Sequence, residues 1–490
     1  MRLIETTFNN FRCFKHYRIE FGAQTTVFFG KNGTGKSSVL SGTRRGLSFM
    51  FAKPKTFPKN LAVSNNAKVK PFEKDEANFD ALNKGFNYPI VNEFKASFTD
   101  QILNWSMVKR TEKGGYATNA YRDVLQTVLN YYNRNQRAEL PLLTVITDSF
   151  PHEIINFGAK AKKTVGNDIL PRDLAYYGWD DRTSCLELWM TRFHKVFSFE
   201  NNLRNEIKNV QAQIYVYQNR LDHAEEEDDV KLNNIHGDLS KLRERLSLLE
   251  RDERLSTFQK ERQFIENKLI EFTRPVSKDF NFINEEFELF RVTAEPGEKN
   301  KSTLEFNFND GRVMKFDMLP MGYKRVFATV FDLSYRSYIL NEDAESHGVV
   351  MIDEIELHLH PTLQQDILQR LRRSFPNIQF IITTHSPLVL SNFKADEDNK
   401  IIKLEHDGND YSNADIENIY GIDYNTGLTE VMGANYRESE LDKLIDSIVI
   451  LMKFKKTEQA DALKKELISL VGENNKHIQF EIAKRLAQNQ

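Results

Sequence analysis

Gly30-Lys31-Asn32-Gly33-Thr34-Gly35-Lys36-Ser37 is the stretch of sequence that decides the fold. It matches the phosphate-loop pattern in full, and it lies between a predicted buried strand, TTVFF, and a predicted helix that begins within GKSSVL. Glycines let backbone N–H groups close around phosphates, and the helix N-terminus adds partial positive charge. We therefore expect this loop and the adjoining Ser38 to bind ATP, with Lys36 on the β- and γ-phosphates and Ser37 on Mg²⁺.

A second apolar strand, Val349–Ile352, ends in two acids, Asp353 and Glu354. We expect Asp353 to ligate and orient the Mg²⁺, and Glu354 to polarise the attacking water as a catalytic base. An acid pair of this kind can also be an ordinary solvated strand end. Its position far downstream of a complete phosphate loop favours the catalytic interpretation.

Two weaker signals accompany these motifs. The strand IQFII leads into Thr383-Thr384-His385-Ser386, where a histidine at a strand end could sense the γ-phosphate; a structural histidine is the alternative. The stretch LPMGYKR, residues 319–325, opens a predicted helix, and it could present Gly322 and the helix N-terminus to a nucleotide held by another subunit. An ordinary strand-to-helix turn with proline near the helix start is the alternative there.

The composition bounds what else the chain can be. Its 490 residues are 40% hydrophobic and 28% charged with a formal net charge of −3, so bulk charge gives no sign of nucleic-acid binding. Two cysteines, Cys13 and Cys185, are too few for a disulfide framework or a zinc knuckle. We find no signal peptide and no apolar stretch near the roughly 20 residues that cross a bilayer. These features predict a cytoplasmic protein with no membrane partner.

Residues 200–274 differ from the rest of the chain. Apolar side chains recur there at alternating steps of four and three, which predicts two antiparallel helices in a coiled-coil hairpin with an acidic tip, AEEEDD, at 224–229. Glu253 and Arg262 interrupt the second arm, so a helical subdomain packed on the rest of the fold remains open. The Arg44–Lys74 stretch is basic and turn-rich and reads as an irregular insertion, either solvated or in contact with DNA or an acidic partner.

The order of strands and helices predicts an α/β fold with a mostly parallel sheet, helices on both faces and an antiparallel N-terminal lobe. The motifs together resemble the RecF/SMC-like branch of ABC-type P-loop ATPases, in which ELHLHP, residues 356–361, follows the Walker B acids. We therefore discount His358 and His360 as a zinc pair, since no third ligand is evident. The resemblance implies dimers of ATPase heads with two ATP molecules between the phosphate loop of one head and the signature of the other.

With this resemblance the chain divides into four segments. Residues 1–199 are expected to be the first part of the head with Walker A and the basic insertion, and 200–274 the helical hairpin. Residues 275–430 are the second part of the head with the signature, Walker B and the histidine switch. Residues 431–490 are expected to form a helical tail.

A narrower resemblance spans nearly the whole chain. NNFRCF at the start, LAYYGWDDRTSCLELWMTRFHKVFSFEN before the coil and YGIDYNTGLTEVMGANYRESELDKLID after the core resemble the PtuA-type ATPases of Septu and related retron anti-phage defence systems. The resemblance implies a head-to-head dimer or a larger oligomer, and a partner HNH nuclease similar to PtuB. It also allows DNA, or a retron reverse transcriptase with its RNA–DNA product, as partners. Arg12 matches the family's N-terminal arginine near the nucleotide.

One position departs from the family pattern. The ABC signature normally begins Leu-Ser, whereas Pro320 stands at the serine position and has no hydroxyl to offer the γ-phosphate. We therefore expect slow hydrolysis, with ATP acting in part as a structural ligand. Gln101 is a candidate for the glutamine loop. The alternatives are a DNA-repair or chromosome-maintenance ATPase, a self-contained nuclease with a Toprim domain, which the short helical tail disfavours, and a scaffold that hydrolyses little ATP.

Overall fold

The computed structural model describes residues 1–51, 72–80, 82–135, 138–147, 163–179, 185–222, 229–276, 287–296, 302–342, 344–408, 410–433, 439–472 and 476–487. Residues 224–228 of the predicted acidic tip and Lys53, Lys55, Lys59, Lys68 and Lys70 of the basic stretch lie outside these ranges. The chain divides into two compact units, Met1–Tyr420 and Gly421–Gln490. Within the described ranges, no helix is both long and apolar enough to cross a membrane.

The strands are β1 (Arg2–Phe11), β2 (Phe14–Glu20), β3 (Thr25–Phe29), β4 (Phe79–Asp80), β5 (Gly85–Phe86), β6 (Ile90–Phe98), β7 (Gln101–Lys109), β8 (Leu142–Ile146), β9 (Leu289–Pro296), β10 (Ser302–Phe308), β11 (Val313–Lys315), β12 (Gly348–Ile352), β13 (Ile378–Thr383), β14 (Asn399–His406) and β15 (Tyr411–Asp415). The helices are α1 (Lys36–Leu47), α2 (Arg122–Arg134), α3 (Leu186–Asp222), α4 (Asp229–Glu250), α5 (Glu253–Thr273), α6 (Met321–Asn341), α7 (Pro361–Ser374), α8 (Pro387–Ser391), α9 (Ser439–Lys453), α10 (Thr457–Val471) and α11 (Lys476–Ala487). Short 3-10 turns occupy Ser48–Phe51, Lys74–Glu76, Thr118–Ala120, Arg172–Tyr176 and Phe316–Met318.

A six-stranded sheet with the order β15-β14-β3-β13-β12-β8 forms the centre of the first unit. All of its neighbouring pairs are parallel except β14 with β15. Strand β13 lies between β3 and β12, so the three strands that carry the predicted motifs are adjacent and end at the same edge. The predicted mostly parallel sheet is confirmed.

A second sheet with the order β2-β1-β6-β7 is entirely antiparallel and forms the predicted N-terminal lobe. Helix α1 packs on it through two glycines, because a Cβ on Gly42 would lie 2.4 Å from the Phe8 ring and one on Gly46 would lie 2.2 Å from the Phe94 ring. The Trp105 indole N–H donates to the Gly46 carbonyl at 2.9 Å. The close approach fixes the helix that begins with Lys36 against this lobe.

The start of the predicted basic insertion differs from the expectation. Arg44 and Arg45 belong to the last turn of α1, and the chain then forms a buried 3-10 turn at Ser48–Phe51. Arg45 is 5% exposed, and its guanidinium donates to both carboxylate oxygens of Glu76, at 3.2 and 2.7 Å. The charge count of the stretch gave no sign of this burial, since the acidic partner lies about thirty residues downstream.

Three helices form the predicted helical arm. The long α3 pairs with α4 through a small apolar cluster around Val210, Ile214 and Leu239. The chain breaks at Asp252, whose side chain caps α5 by accepting from the Arg254 N–H at 2.9 Å, so the second arm consists of α4 and α5 rather than one helix. Arg262 is half-buried and pairs with Glu200, which explains how a charge occupies a position of the apolar repeat.

The end of α5 is held by two arginines of α7. Arg370 donates to the carbonyls of Phe272 and Thr273 at 3.1 and 2.8 Å, and Arg373 donates to the Pro275 carbonyl at 3.0 Å. The last carbonyls of a helix have no partner within it, so these guanidinium groups satisfy them directly. The arm is thereby joined to the helix that follows the Walker B strand.

The second unit is a cluster of α9, α10 and α11, preceded by a helical turn at Tyr424–Thr426. Its core contains Ile445, Ile448, Leu467 and Ile478. On its surface, Arg485 pairs with carboxylates of α9. The predicted helical tail is confirmed.

Candidate functional site

The phosphate loop connects β3 to α1. Gly33 has a φ of 83° with open space where a Cβ would be, and Lys31, Asn32 and Gly33 are exposed. Gly35 has a φ of 94°, and a Cβ there would lie 2.5 Å from the Phe14 ring. Both conformations favour glycine, and together they keep the top of the loop free of side chains.

The Lys36 side chain extends from the end of this loop back to its first residues. Its ammonium donates to the carbonyls of Gly30 and Lys31, at 2.8 and 3.0 Å. The Thr34 hydroxyl also donates to the Lys31 carbonyl, at 2.9 Å, while Ser37 is exposed beside it. Ser38 hydrogen-bonds with the Cys13 thiol from the neighbouring lobe. The Ser37 hydroxyl and the buried Lys36 ammonium thus lie at the same edge of the sheet.

The acids of the Walker B strand lie within electrostatic reach of Lys36. Burial lowers the pKa of Lys36, and the negative charges of Asp353, Glu354 and Glu356 oppose that effect by favouring the ammonium form. The phosphate loop and the acids are more than 300 residues apart in sequence, so the fold alone brings them together. The structure therefore places Lys36 and the expected Asp353–Glu354 pair in one site.

Thr383 connects Asp353 with Glu354. Its hydroxyl donates to the Asp353 carboxylate, and the same oxygen accepts the Glu354 N–H at 2.8 Å. Glu354 has a φ of 50°, a left-handed conformation that costs a residue with a side chain of order 1–3 kcal/mol. The threonine at the end of β13 thus holds the backbone that aims the predicted catalytic base.

Glu356 holds the predicted histidine switch. Its two carboxylate oxygens accept from the His385 N–H and from the Thr384 hydroxyl, the latter at 2.7 Å. The sequence alone predicts no role for Glu356 or Thr383. The only sequence signals for these two residues are their positions in ELHLHP and TTHS, next to candidate site residues.

The first turn of α6 contacts the loop that carries these acids. Gly322 is buried, and a Cβ on it would lie 2.5 Å from the His358 carbonyl oxygen. The buried Arg325 donates to the carbonyls of Asp353 and Glu354 at 3.0 and 3.2 Å. Gly322 therefore has a packing role within its own chain, whereas its expected contact across a dimer involves a second subunit.

Arg12 and His360 have partners of their own. The Arg12 guanidinium lies 3.6 Å from the Glu76 carboxylate, the same acid that binds Arg45. The His360 ring accepts the Thr362 N–H as the N-cap of α7. Gln101 is exposed at the first position of β7. Among the residues that the structure describes, no contact places Arg12 or Gln101 on the phosphate loop.

The residues present fit a magnesium nucleotide. Helix α1 has no acid in its first turn and no side-chain cap at its N-terminus, so its partial positive charge remains available to phosphate. In the described part of the chain, no group of three or more His, Cys, Asp or Glu residues is placed to hold a metal ion. A Mg²⁺ at Ser37 and Asp353 would therefore depend on phosphate oxygens and water for the rest of its ligands.

Comparisons with known proteins agree with this geometry. A family model described as an AAA ATPase domain matches residues 1–390. The retron Vc95 probable ATPase of Vibrio cholerae serotype O1 biovar El Tor is 25% identical over 390 residues, which are 78% of this chain and 70% of that protein. The Septu protein PtuA of Bacillus mycoides (strain KBAB4) is 45% identical over 78 residues, 16% of this chain and 11% of its own.

Among solved structures, the Smc head domain with an extended coiled coil bound to the C-terminal domain of ScpA from Pyrococcus furiosus is similar. It has a TM-score of 0.42 and 12% identity, and the match covers 85% of this chain and 96% of that one.

Proposed function

The chain belongs to the AAA ATPase domain family, and from that premise we propose that it is the ATP-dependent sensor and regulatory subunit of an anti-phage defence complex. In this proposal it binds ATP·Mg²⁺, hydrolyses it slowly, and assembles with an HNH nuclease whose activity it controls. It acts in the cytoplasm, as its two free thiols, Cys13 and Cys185, suggest.

The convergence of Lys36 with three carboxylates at one sheet edge carries the proposal. The negative charges of Asp353, Glu354 and Glu356 favour the ammonium form of Lys36 although burial desolvates it. This arrangement has a clear purpose if phosphate and Mg²⁺ occupy the space between the loop and the acids. The exposed Ser37 and the half-buried Asp353 are the magnesium ligands that we propose.

Each residue then has a separate task. Lys36 and the loop N–H groups bind and orient the phosphates, and Glu354 accepts a proton from the attacking water. His385, whose backbone N–H is bound by Glu356, would sense the γ-phosphate of a bound nucleotide. Bound Mg²⁺ supplies charge neutralisation on the phosphate oxygens.

Slow hydrolysis follows from the signature. Pro320 is the N-cap of α6 and gives it no side-chain cap, and the first turn has no acid. The N-terminus of α6 therefore offers its partial charge to a nucleotide on the second head near Gly322, without the hydroxyl that a serine would add. We propose a head-to-head dimer in which ATP acts both as substrate and as structural ligand.

The defence role rests on the relatives. One of them is named as a retron probable ATPase, and a shorter match of higher identity is to a Septu protein PtuA. In such a system, the chain would couple recognition of phage DNA, or of a retron reverse transcriptase and its RNA–DNA product, to a PtuB-like HNH nuclease. These partners belong to the proposal and not to the described fold.

The ATPase part is tested with two variants and one control. Lys36→Ala should weaken binding of a fluorescent ATP analogue by at least about 10-fold, and Glu354→Gln should lower phosphate release by at least about 100-fold while binding persists. Lys400→Ala, at an ion-paired lysine on β14, should change neither. Undiminished nucleotide affinity in Lys36→Ala would overturn the proposed site.

The defence part is tested in cells that carry the gene together with its neighbouring genes. If the chain controls a nuclease, Glu354→Gln should abolish protection from phage while the complex still co-purifies with the nuclease. Protection that survives in Glu354→Gln would instead indicate a scaffold that uses ATP only structurally. A neighbourhood of recombination genes, with no nuclease bound, would favour the repair function.

A further inference from the structure

We infer that Arg325 is a positioning residue for Glu354, through which the signature helix sets the hydrolytic geometry of its own head. The inference rests on the proposed role of Glu354 as catalytic base. In this role Arg325 acts on the backbone that aims the base.

Arg325 contacts that backbone directly. Its guanidinium donates to two consecutive carbonyls, those of Asp353 and Glu354, at 3.0 and 3.2 Å. The residue is 4% exposed, so the charge is out of water and its hydrogen bonds are charge-assisted. From the other side, Thr383 accepts the Glu354 N–H at 2.8 Å. The Glu354 peptide groups are thus held from two directions by side chains of α6 and β13.

The backbone held in this way is strained. Glu354 and His358 have φ values of 50° and 63°, in the region that residues with side chains rarely adopt. The same turn of α6 contacts both of them, since Arg325 binds the Glu354 carbonyl and Gly322 packs on the His358 carbonyl. Strained backbone persists only where its surroundings determine it, and α6 supplies that determination at both ends of the segment.

The other end of this turn faces outward. Met318 and Met321 are 69% and 56% exposed and flank Pro320. The segment from Met318, in the 3-10 turn before α6, to Arg325 therefore has an exposed tip around Pro320 and, farther along, a buried guanidinium on the loop that carries the acids. A displacement of the tip would move the Arg325 donors relative to Glu354, so contact with the second head can affect hydrolysis in the first.

Helix α6 offers a matched control. Arg336 is 2% exposed and also donates to backbone carbonyls, including that of Tyr177 at 2.9 Å, but these belong to the residues before α3 and not to the site. Arg336→Lys and Arg325→Lys thus both remove donors to backbone carbonyls from buried arginines on one helix, and Arg336→Lys in addition perturbs the buried ion pair with Asp332. A purely structural role predicts the same behaviour for both.

The experiment measures turnover, nucleotide affinity and backbone exchange in the full chain. Arg325→Lys should lower kcat by about 10- to 100-fold with the affinity for a fluorescent ATP analogue unchanged, and should speed hydrogen–deuterium exchange in residues 353–359. Arg336→Lys should leave kcat and that exchange unchanged, whatever its thermal stability. The double variant Arg325→Lys/Glu354→Gln should be no slower than Glu354→Gln alone, since both changes act on one group.

The outcomes separate the two proposals. If Glu354→Gln retains full turnover, the assignment of the base is wrong and the inference falls with it. If Glu354→Gln is inactive while Arg325→Lys keeps both kcat and slow exchange in the loop, the base stands and the positioning role is refuted. If the single variant unfolds, Arg325→Gln with exchange measured at low temperature gives the same comparison, and unchanged loop exchange there also refutes the role.

Discussion

Replacing Thr383 with valine tests whether the Thr383 hydroxyl supports ATP hydrolysis at the end of β13 as well as the stability of the fold. The hydroxyl donates to the Asp353 carboxylate and accepts the Glu354 N–H at 2.8 Å, so valine keeps the shape of the side chain and removes both bonds. A hydrogen bond to a charged group contributes about 1.5–3 kcal/mol, and an unpaired N–H costs about 1–3 kcal/mol when buried. Glu354 is half-buried, so water recovers part of this and we expect a total loss of about 2–4 kcal/mol.

The effect on turnover should exceed that on nucleotide binding. Without the threonine hydroxyl, Glu354 loses one of the two side chains that hold its backbone, and kcat should fall by about 10- to 100-fold. The phosphate loop keeps its own bonds, so the affinity for an ATP analogue should change little. Urea denaturation gives the stability, and a phosphate-release assay gives kcat and KM.

Thr26→Val is the matched control. Thr26 is fully buried on β3, and its hydroxyl accepts the Gly22 N–H at 2.9 Å, at the end of the sheet away from the acids. This variant should lose about 1–2 kcal/mol and keep kcat within about two-fold. Equal losses of kcat in the two variants would refute the claim that Thr383 acts through Glu354.

Other changes test separate features of the same site. Pro320→Ser supplies the hydroxyl that the signature normally carries, so phosphate release at saturating ATP should increase; an unchanged or lower rate would contradict the explanation of slow hydrolysis. Gly35→Ala brings a Cβ within 2.5 Å of an aromatic ring at a φ of 94°, so it should weaken binding of the ATP analogue by at least about 10-fold, and full affinity would show that the loop tolerates the strain. Burial raises the pKa of Cys185 to about 12, so at about pH 8 the native protein should react with a maleimide only at Cys13, and ATP·Mg²⁺ should slow that reaction. Rapid labelling of both thiols before unfolding, read by mass spectrometry, would contradict the burial of Cys185.

The sequence was sufficient for the order of the motifs and for the sheet that carries them. Strands that precede the phosphate loop, Asp353 and His385 were each recognisable as short apolar runs, and parallel strands end at one edge. Their order in the sheet, β3-β13-β12, is known only from the fold, since no pattern within one strand selects its neighbour. These motifs could be predicted because each depends only on one strand and the loop that follows it.

Contacts between distant segments were not predictable. The bond from Arg325 to the Asp353 carbonyl depends on how close α6 approaches β12, and nothing in MGYKR fixes that distance. The role of the Glu356 carboxylate could not be predicted. It accepts from the Thr384 hydroxyl and the His385 backbone N–H, and such donors leave no pattern of charge in the sequence. The break of the second arm at Asp252 depended on a cap that a heptad count does not detect.

Because two arginines of α7 hold the end of α5, the helical arm is joined firmly to the head and can turn with it, instead of being a flexible connection. Helix α3, which pairs with the second arm, has 37 residues and at 1.5 Å per residue extends about 55 Å, so a tilt of about 5° at its root would move its far end by about 5 Å. Because α7 begins just after the acids that face Lys36, a movement of those acids on nucleotide binding would be expected to reach the arm through α7. Any protein that grips the distal part of that arm would thus receive an amplified version of whatever the nucleotide does.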